Sequence, residues 1–185
     1  MHAERAVQPT PVTAEEFRRA IGHFPTGVCV VTTAVDGEAF GATVSAMASL
    51  SLDPPMLLVC LKDTSRTLAA IRQRGLFVVN ILEESQASVA VHFATREGAK
   101  IQLTGPSADA VPRVEGALGS IKCEAESMVR GGSHLVITAL VRSVDMGQGR
   151  PLAYYRGRFG SFLPALTLVR PSDLASIPNS KEGPS

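Results

Sequence analysis

Apolar residues recur along this chain at two spacings, and the changes between them mark the elements. Phe17, Ala20 and Ile21 stand at i, i+3 and i+4 behind a Thr13–Glu16 pair of the capping-box type, and predict a short helix that His23-Phe24-Pro25-Thr26-Gly27 breaks. The β-branched run VCVVTT, Val28 to Thr33, predicts a strand. Asp36-Gly37 predicts a hairpin turn in front of a second strand that enters Gly41 to Ser45. MLLVCL, from Met56, and LFVVNIL, from Leu76, are continuous apolar runs and predict buried strands. Between them TSRTLAAIRQRG predicts a short helix, capped by Thr64 or Ser65 and closed by Gly75. ESQASVAVHFA has helical spacing at Val89 and Phe93, and residues 95 to 119 are irregular, rich in Gly, Pro and charge. Strands are predicted at about Ile121 to Val129 and His134 to Val144 across a Gly131-Gly132 turn. LAYYRG predicts one last short strand, leading into FGSFLP.

Many short strands joined by turns, with two or three small helices, predict a mainly β (α+β) fold: an antiparallel barrel with helices at its ends. Strands and helices do not alternate regularly, which argues against a parallel α/β sheet. Residues 1–12, with Pro9 and Pro11, read as a loose lead-in, residues 13–170 as one domain, and residues 171–185 as a polar tail.

Composition narrows the function classes. A chain of 185 residues suits a single domain with a sizeable core. A formal net charge of +1 gives no electrostatic case for nucleic acid or an anionic membrane. Aromatics at 5%, without Trp, are too few for a base-stacking platform. Cys29, Cys60 and Cys123 lie far apart with no CxxC pair, which argues against a disulfide framework or structural zinc. No HExxH or similar spacing is written, so no metal is expected. The N-terminus has no apolar signal region, and the longest apolar run, Met56 to Leu61, is too short to cross a bilayer. The expectation is a cytoplasmic protein.

GATVSAMASLSLDPP, Gly41 to Pro55, is the stretch that asks for an explanation. Its small and hydroxyl side chains suit a barrel corner, where strands approach closely. They could also serve as a cofactor bed, where a flat ring lies against main chain and the hydroxyls of Thr43, Ser45 and Ser49 reach its polar edge. Lys62, Ser65, Arg66 and Thr67 place cations and hydroxyls where a strand gives way to a helix N-terminus, physically a phosphate site or an ordinary capped helix. His134, after Gly131-Gly132-Ser133, is either structural or a hydrogen-bonding group for a substrate. Tyr155-Arg156-Gly157-Arg158 sets two guanidinium groups around one glycine, able to grip phosphate or simply facing solvent. No Walker motif, GxGxxG or GxSxG is present.

FRRAIGHFPTGVCVVTT, GATVSAMASLSLDPP, CLKDTSRTLAAIRQRGLFVVNIL, QASVAVHFA, GGSH and PLAYYRGRFG occur in that order, across roughly Phe17 to Leu163. This ordered set closely resembles the short-chain flavin reductases, the reductase components of two-component flavin-dependent monooxygenases. The resemblance implies an FMN-binding split barrel, usually a homodimer, that passes hydride from NADH or NADPH to FMN or FAD and serves a monooxygenase partner. It implies that Thr43, Val44, Ser45, Ala46, Ser49 and Ser51 line the flavin ring beside Cys60. Lys62, Ser65, Arg66 and Thr67 would receive the ribityl and phosphate end, with Phe93, Ala94 and Lys100 along the rest. His134, the candidate catalytic residue, and Tyr155 to Arg158 would dock the nicotinamide nucleotide. The chain departs from the pattern at Gly132-Ser133-His134, where the family often writes Gly-Asp-His, and at Thr138-Ala139, where it often has a glycine. A flavin-holding electron carrier, a flavin-storage protein, a pyridoxamine-phosphate-oxidase type and a ligand-free dimer module remain as alternatives.

Overall fold

The computed structural model of the protein describes residues 11–95, 103–104 and 111–164. Helix α1 (Ala14–Ile21) leads into β1 (Thr26–Gly27), β2 (Cys29–Val35), β3 (Glu38–Val44), β4 (Met47–Leu52) and β5 (Pro55–Lys62). Helix α2 (Arg66–Arg74), β6 (Leu76–Ile81) and α3 (Ala87–Thr95) follow. The two-residue strands β7 (Leu103–Thr104) and β8 (Arg113–Val114) pair with each other. The chain then runs through the long hairpin of β9 (Gly119–Gly131) and β10 (His134–Met146), and through β11 (Leu152–Tyr155) and β12 (Arg158–Ser161).

Seven strands form one antiparallel sheet in the order β3-β2-β6-β9-β10-β5-β4. Laid flat at the usual strand spacing, seven strands would be about 29 Å wide. Yet the two edge strands, β3 and β4, are joined through Ser45-Ala46 alone, and consecutive Cα atoms are about 3.8 Å apart. The sheet must therefore curl until its edges nearly meet, which makes a barrel split along one seam. The stretch Gly41 to Ser51 is the corner where the chain crosses that seam.

Local signals account for most elements. Thr13 caps α1, with the Glu16 carboxylate accepting from the Thr13 N–H at 2.9 Å and the Thr13 hydroxyl accepting from the Glu16 N–H at 3.2 Å. The Thr13 N–H and, at 2.8 Å, the Thr13 hydroxyl both donate to the Glu16 carboxylate and hold that carboxyl below its usual range. Asp36 and Gly37 both have positive φ, 51° and 80°, as a tight hairpin turn requires. Ser65 caps α2, and Gly75 ends it in the left-handed conformation.

The barrel interior is filled by alternate residues of the strands, among them Val31, Leu57, Val59, Leu61, Val79 and Ile137, and stopped at one end by Leu68 and Ile71 of α2. Full burial of either helix residue contributes about 1.5–3 kcal/mol. A second cluster joins Val28, Val30 and Leu82 to Ala90 of α3 and Leu152 of β11. Between them Asn80 is fully buried and fully engaged. Its amide donates to the Val30 carbonyl and the Thr32 hydroxyl, and its carbonyl accepts from the Val114 N–H and the Ser120 hydroxyl.

Three expectations change. MLLVCL is not buried on both faces: Leu57, Val59 and Leu61 are buried, whereas Leu58 and Cys60 are half-buried on the other face. Strand β9 runs two residues further at each end than the pattern predicts, and β10 two further at its C-terminal end. LAYYRG is not the last strand: Arg156 (φ 48°) and Gly157 (φ 81°) form a tight turn, and the chain returns as β12. Helix α1 buries none of its residues, although Phe17 and Ile21 share one side of it.

Candidate functional site at the barrel corner

A cleft of about 450 Å³ opens at the corner, along Gly41 to Ala46. Cys60, Lys62, Thr64, Ser65 and Thr67 line it, together with Phe93 and Ala94 of α3 and His134 of β10. Strand alternation selects these groups. With Leu57, Val59 and Leu61 turned into the core, Cys60 and Lys62 face the other way. Their direct partners across the β5–β10 ladder, Val136 and His134, share that face.

The wall of small residues works differently at each position. Val44 sends its side chain into the core, where it is 7% exposed, so its contribution to the cleft is main chain. Thr43 lines the cleft, and its hydroxyl donates to the Ala90 carbonyl at 2.7 Å, which ties β3 to α3. Gly41 faces the ring of Phe93, and a Cβ built there would lie 2.5 Å from the ring Cδ1. Only a glycine lets that ring sit against the strand. Ser45 and Ala46 are exposed and lie in the break between paired strands. The structure does not bring Ser49 or Ser51 to the cleft. Both lie on β4, and the Ser51 hydroxyl accepts from the Asp53 N–H at 3.2 Å.

The other end of the cleft brings an exposed lysine beside a helix N-terminus. The Ser65 hydroxyl accepts from the Leu68 N–H at 3.4 Å, and the first turn of α2, which carries no acidic residue, begins there. The positive end of the helix and its first-turn N–H groups favour negative charge. Thr67 is 3% exposed, and Lys62 is exposed and in no ion pair among the described residues. Arg66 departs from expectation. Its Nη2 binds the Glu38 Oε1 at 2.6 Å, its guanidinium stands 5.3 Å from the Phe40 ring centroid, and it does not line the cleft.

His134 Nδ1 lies 3.1 Å from the hydroxyl of Ser133, the residue that stands where the Gly-Asp-His pattern has its aspartate. The same hairpin tip grips the Lys62–Ser65 loop. The Asp63 N–H donates to the Ser133 carbonyl at 3.1 Å, and the Asp63 carboxylate accepts from Arg130 at 3.0 Å. Tyr155, Arg156 and Arg158 do not join His134 in one cleft. They line a groove with Phe159 and Phe162 on the β1-β11-β12 sheet. Arg156 and Gly157 also border a groove of about 480 Å³ with Arg18 and Arg19 of α1. Ser45 is common to that groove and to the corner cleft. Lys100 lies outside the described residues.

Sequence reasoning missed the Gly41–Phe93 contact, the Glu38–Arg66–Phe40 arrangement and the part of Arg18 and Arg19. An isolated Gly inside a strand pattern is the signal that could have found the first. Burial pushes the thiols of Cys29 and Cys123 up to about 12, which leaves half-buried Cys60 as the accessible thiol. Among the described residues no group of three or more His, Cys, Asp or Glu side chains could hold a metal ion. No helix among them is long and apolar enough to cross a membrane.

Fold and cleft together define an antiparallel split barrel with an open corner. Residues 21–163 match the flavin reductase like domain, and the chain belongs to that family. It is 44% identical over 155 residues to the reductase component of 4-nitrophenol 4-monooxygenase/4-nitrocatechol 2-monooxygenase from Rhodococcus opacus, covering 83% of this chain and 84% of that one. Among solved structures it resembles nitrilotriacetate monooxygenase component B from Mycobacterium thermoresistibile (TM-score 0.77, 36% identity, 84% of this chain and 90% of that one). It also resembles the NADH:FAD oxidoreductase SgcE6 of Streptomyces globisporus in complex with NAD and FAD fragments (TM-score 0.78, 27% identity, 88% of this chain and 100% of that one).

Proposed function

We propose that the protein is an NADH-oxidising flavin reductase that takes FMN or FAD at the barrel corner and supplies reduced flavin to a separate monooxygenase component. The observation that carries this reading is the corner cleft, where a wall of small residues runs into a cationic, helix-capped end. The residues present fit a flavin. A flat ring suits the main chain of Gly41 to Ala46, and a phosphate suits Lys62, Ser65 and Thr67. Relatives named as monooxygenase reductase components, and one named as an NADH:FAD oxidoreductase, support the same activity.

Flavin bound there supplies the chemistry, accepting hydride from a reduced nicotinamide. The chain's own work is positional. Ser45 and Ala46, outside the strand ladder, present N–H groups toward the polar edge of the ring and favour negative charge there. Lys62 and the first turn of α2 hold the phosphate. His134, beside Lys62 across the ladder, hydrogen-bonds the nicotinamide nucleotide, and the Arg18–Arg19–Arg156 groove that meets the cleft at Ser45 receives its phosphates. No acid or base of the chain is required, so proximity and orientation provide the rate enhancement.

A homodimer belongs to the same reading. Val12 and Phe17, which line neither groove, are 74% and 62% exposed in a single chain, apolar surface that a second copy would cover. So does a cytoplasmic location, where the reduced nicotinamide is drawn from. The test is consumption of NADH or NADPH, followed by absorbance, with FMN, FAD or riboflavin added or withheld. Oxidation that requires added flavin is expected. A folded, flavin-binding protein that oxidises neither nucleotide would replace this reading with that of a carrier or storage protein.

A further inference from the structure

Arg66 stands at the phosphate end in sequence, and its side chain turns away from it in space. It opens α2 between Ser65 and Thr67, which both line the corner cleft, while its own guanidinium does not. Two residues of β3 hold it elsewhere. Glu38 accepts from Nη2 at 2.6 Å, and the Phe40 ring lies under the guanidinium with its centroid 5.3 Å away. Glu38 and Phe40 are two apart in the strand and share a face, so the hold is a two-point one. Gly41, Thr67 and Phe93 line both the space in which Arg66 sits and the corner cleft, so the two adjoin.

We propose that Glu38 sets the affinity of this site for phosphorylated flavins by competing with the flavin phosphate for Arg66. The proposal rests on the flavin reading above. A phosphate at Lys62 and the α2 N-terminus would draw in a second cation if one were free, because a guanidinium binds phosphate in a bidentate, charge-assisted way. The Glu38 carboxylate occupies that cation instead. The two side chains are 62% and 56% exposed, so the pair is screened and yields readily, which makes Glu38 a moderate weight on affinity and not a lock. A reductase that must release its flavin benefits from this: the phosphate is held by one lysine and a helix end, and the strongest phosphate ligand nearby is kept occupied.

The experiment is a fluorescence titration of the full-length protein and its variants with FMN, FAD and riboflavin, none of which needs a nicotinamide. Given the worth of an exposed pair, Glu38→Gln should tighten FMN and FAD binding by about two- to five-fold. Riboflavin, which has no phosphate, should be unaffected. In an Arg66→Met background the effect of Glu38→Gln should vanish, because no guanidinium remains to be released. Unchanged FMN and FAD affinity would overturn the proposal. So would equal tightening of riboflavin, or tightening that survives Arg66→Met, which would be a long-range effect of the lost charge. If the parent protein binds no flavin at all, the corner cleft as a flavin site fails and this inference fails with it, an outcome distinct from a parent that binds FMN and a Glu38→Gln variant that matches it.

Discussion

Gly41→Ala is the smallest change that should disturb the corner cleft, and its size follows from the geometry. The new Cβ would stand 2.5 Å from the Phe93 Cδ1 and 3.3 Å from its Cζ. Carbon atoms in contact prefer about 3.5–4.0 Å, so the ring must retreat by about 1 Å or more. The backbone at Gly41 is not left-handed, so an alanine meets no conformational penalty there. Replacing a strand glycine should by itself stabilise the fold by about 0.5–1 kcal/mol. Overpacking of a seated ring costs about 1–3 kcal/mol and wins. The ring has two ways out. Either α3 lifts, straining the 2.7 Å hydrogen bond from Thr43 to the Ala90 carbonyl, or Phe93 swings into the cleft it lines. Both reduce the room for a flavin. Urea denaturation followed by far-UV circular dichroism should show a net loss of about 1–2 kcal/mol, and FMN titration a fall in affinity of about tenfold. In a Phe93→Ala background the same substitution should be neutral or stabilising by up to about 1 kcal/mol, because the atoms it strikes are gone and only the glycine effect remains. A Gly41→Ala protein as stable as the parent, with unchanged FMN affinity, would refute the reasoning.

Lys62→Met should weaken FMN binding several-fold while leaving riboflavin nearly unchanged, and equal loss of both in a fluorescence titration would remove Lys62 from the phosphate end. Maleimide should label Cys60 alone at pH 8, and saturating FMN should slow that labelling; mass spectrometry that finds Cys29 or Cys123 modified in the folded protein would contradict their burial. Because burial raises both thiols from about 9 to about 12, the stability they carry is full below pH 9 and is lost as pH rises toward 12, so denaturation midpoints should fall across that window. Phe17→Glu should convert a dimer to a monomer in light scattering; an unchanged mass would move the interface away from α1.

What could be read from the chain was what its near neighbours decide. The Thr13–Glu16 box, the Asp36-Gly37 turn and the Ser65 and Gly75 ends of α2 each depend on residues within one turn, and each stands as the sequence suggests. The Arg156-Gly157 turn is not legible because Arg carries no turn preference; the pairing of β11 with β12 and the Arg156 N–H donating to the Gly22 carbonyl at 3.1 Å fix it. Roles at the cleft depended on distant partners. Arg66 belongs to Glu38, 28 residues away, and the Thr43 hydroxyl to Ala90, 47 residues away. Ser49 and Ser51 are in the same small-residue stretch as Ser45, yet β4 carries them past the corner. The two readings of that stretch, barrel corner and cofactor bed, were set against each other in sequence. In the fold the corner and the cleft wall are one feature, because a two-residue crossing of the seam needs small residues and leaves main chain uncovered beside it.

The most direct test of the central claim is a crystal structure of the protein soaked with FMN. The account expects the ring against the main chain of Gly41 to Ala46 and the phosphate at Lys62, Ser65 and Thr67. Flavin density in the Arg156–Arg158 groove instead, with the corner cleft holding solvent, would contradict it.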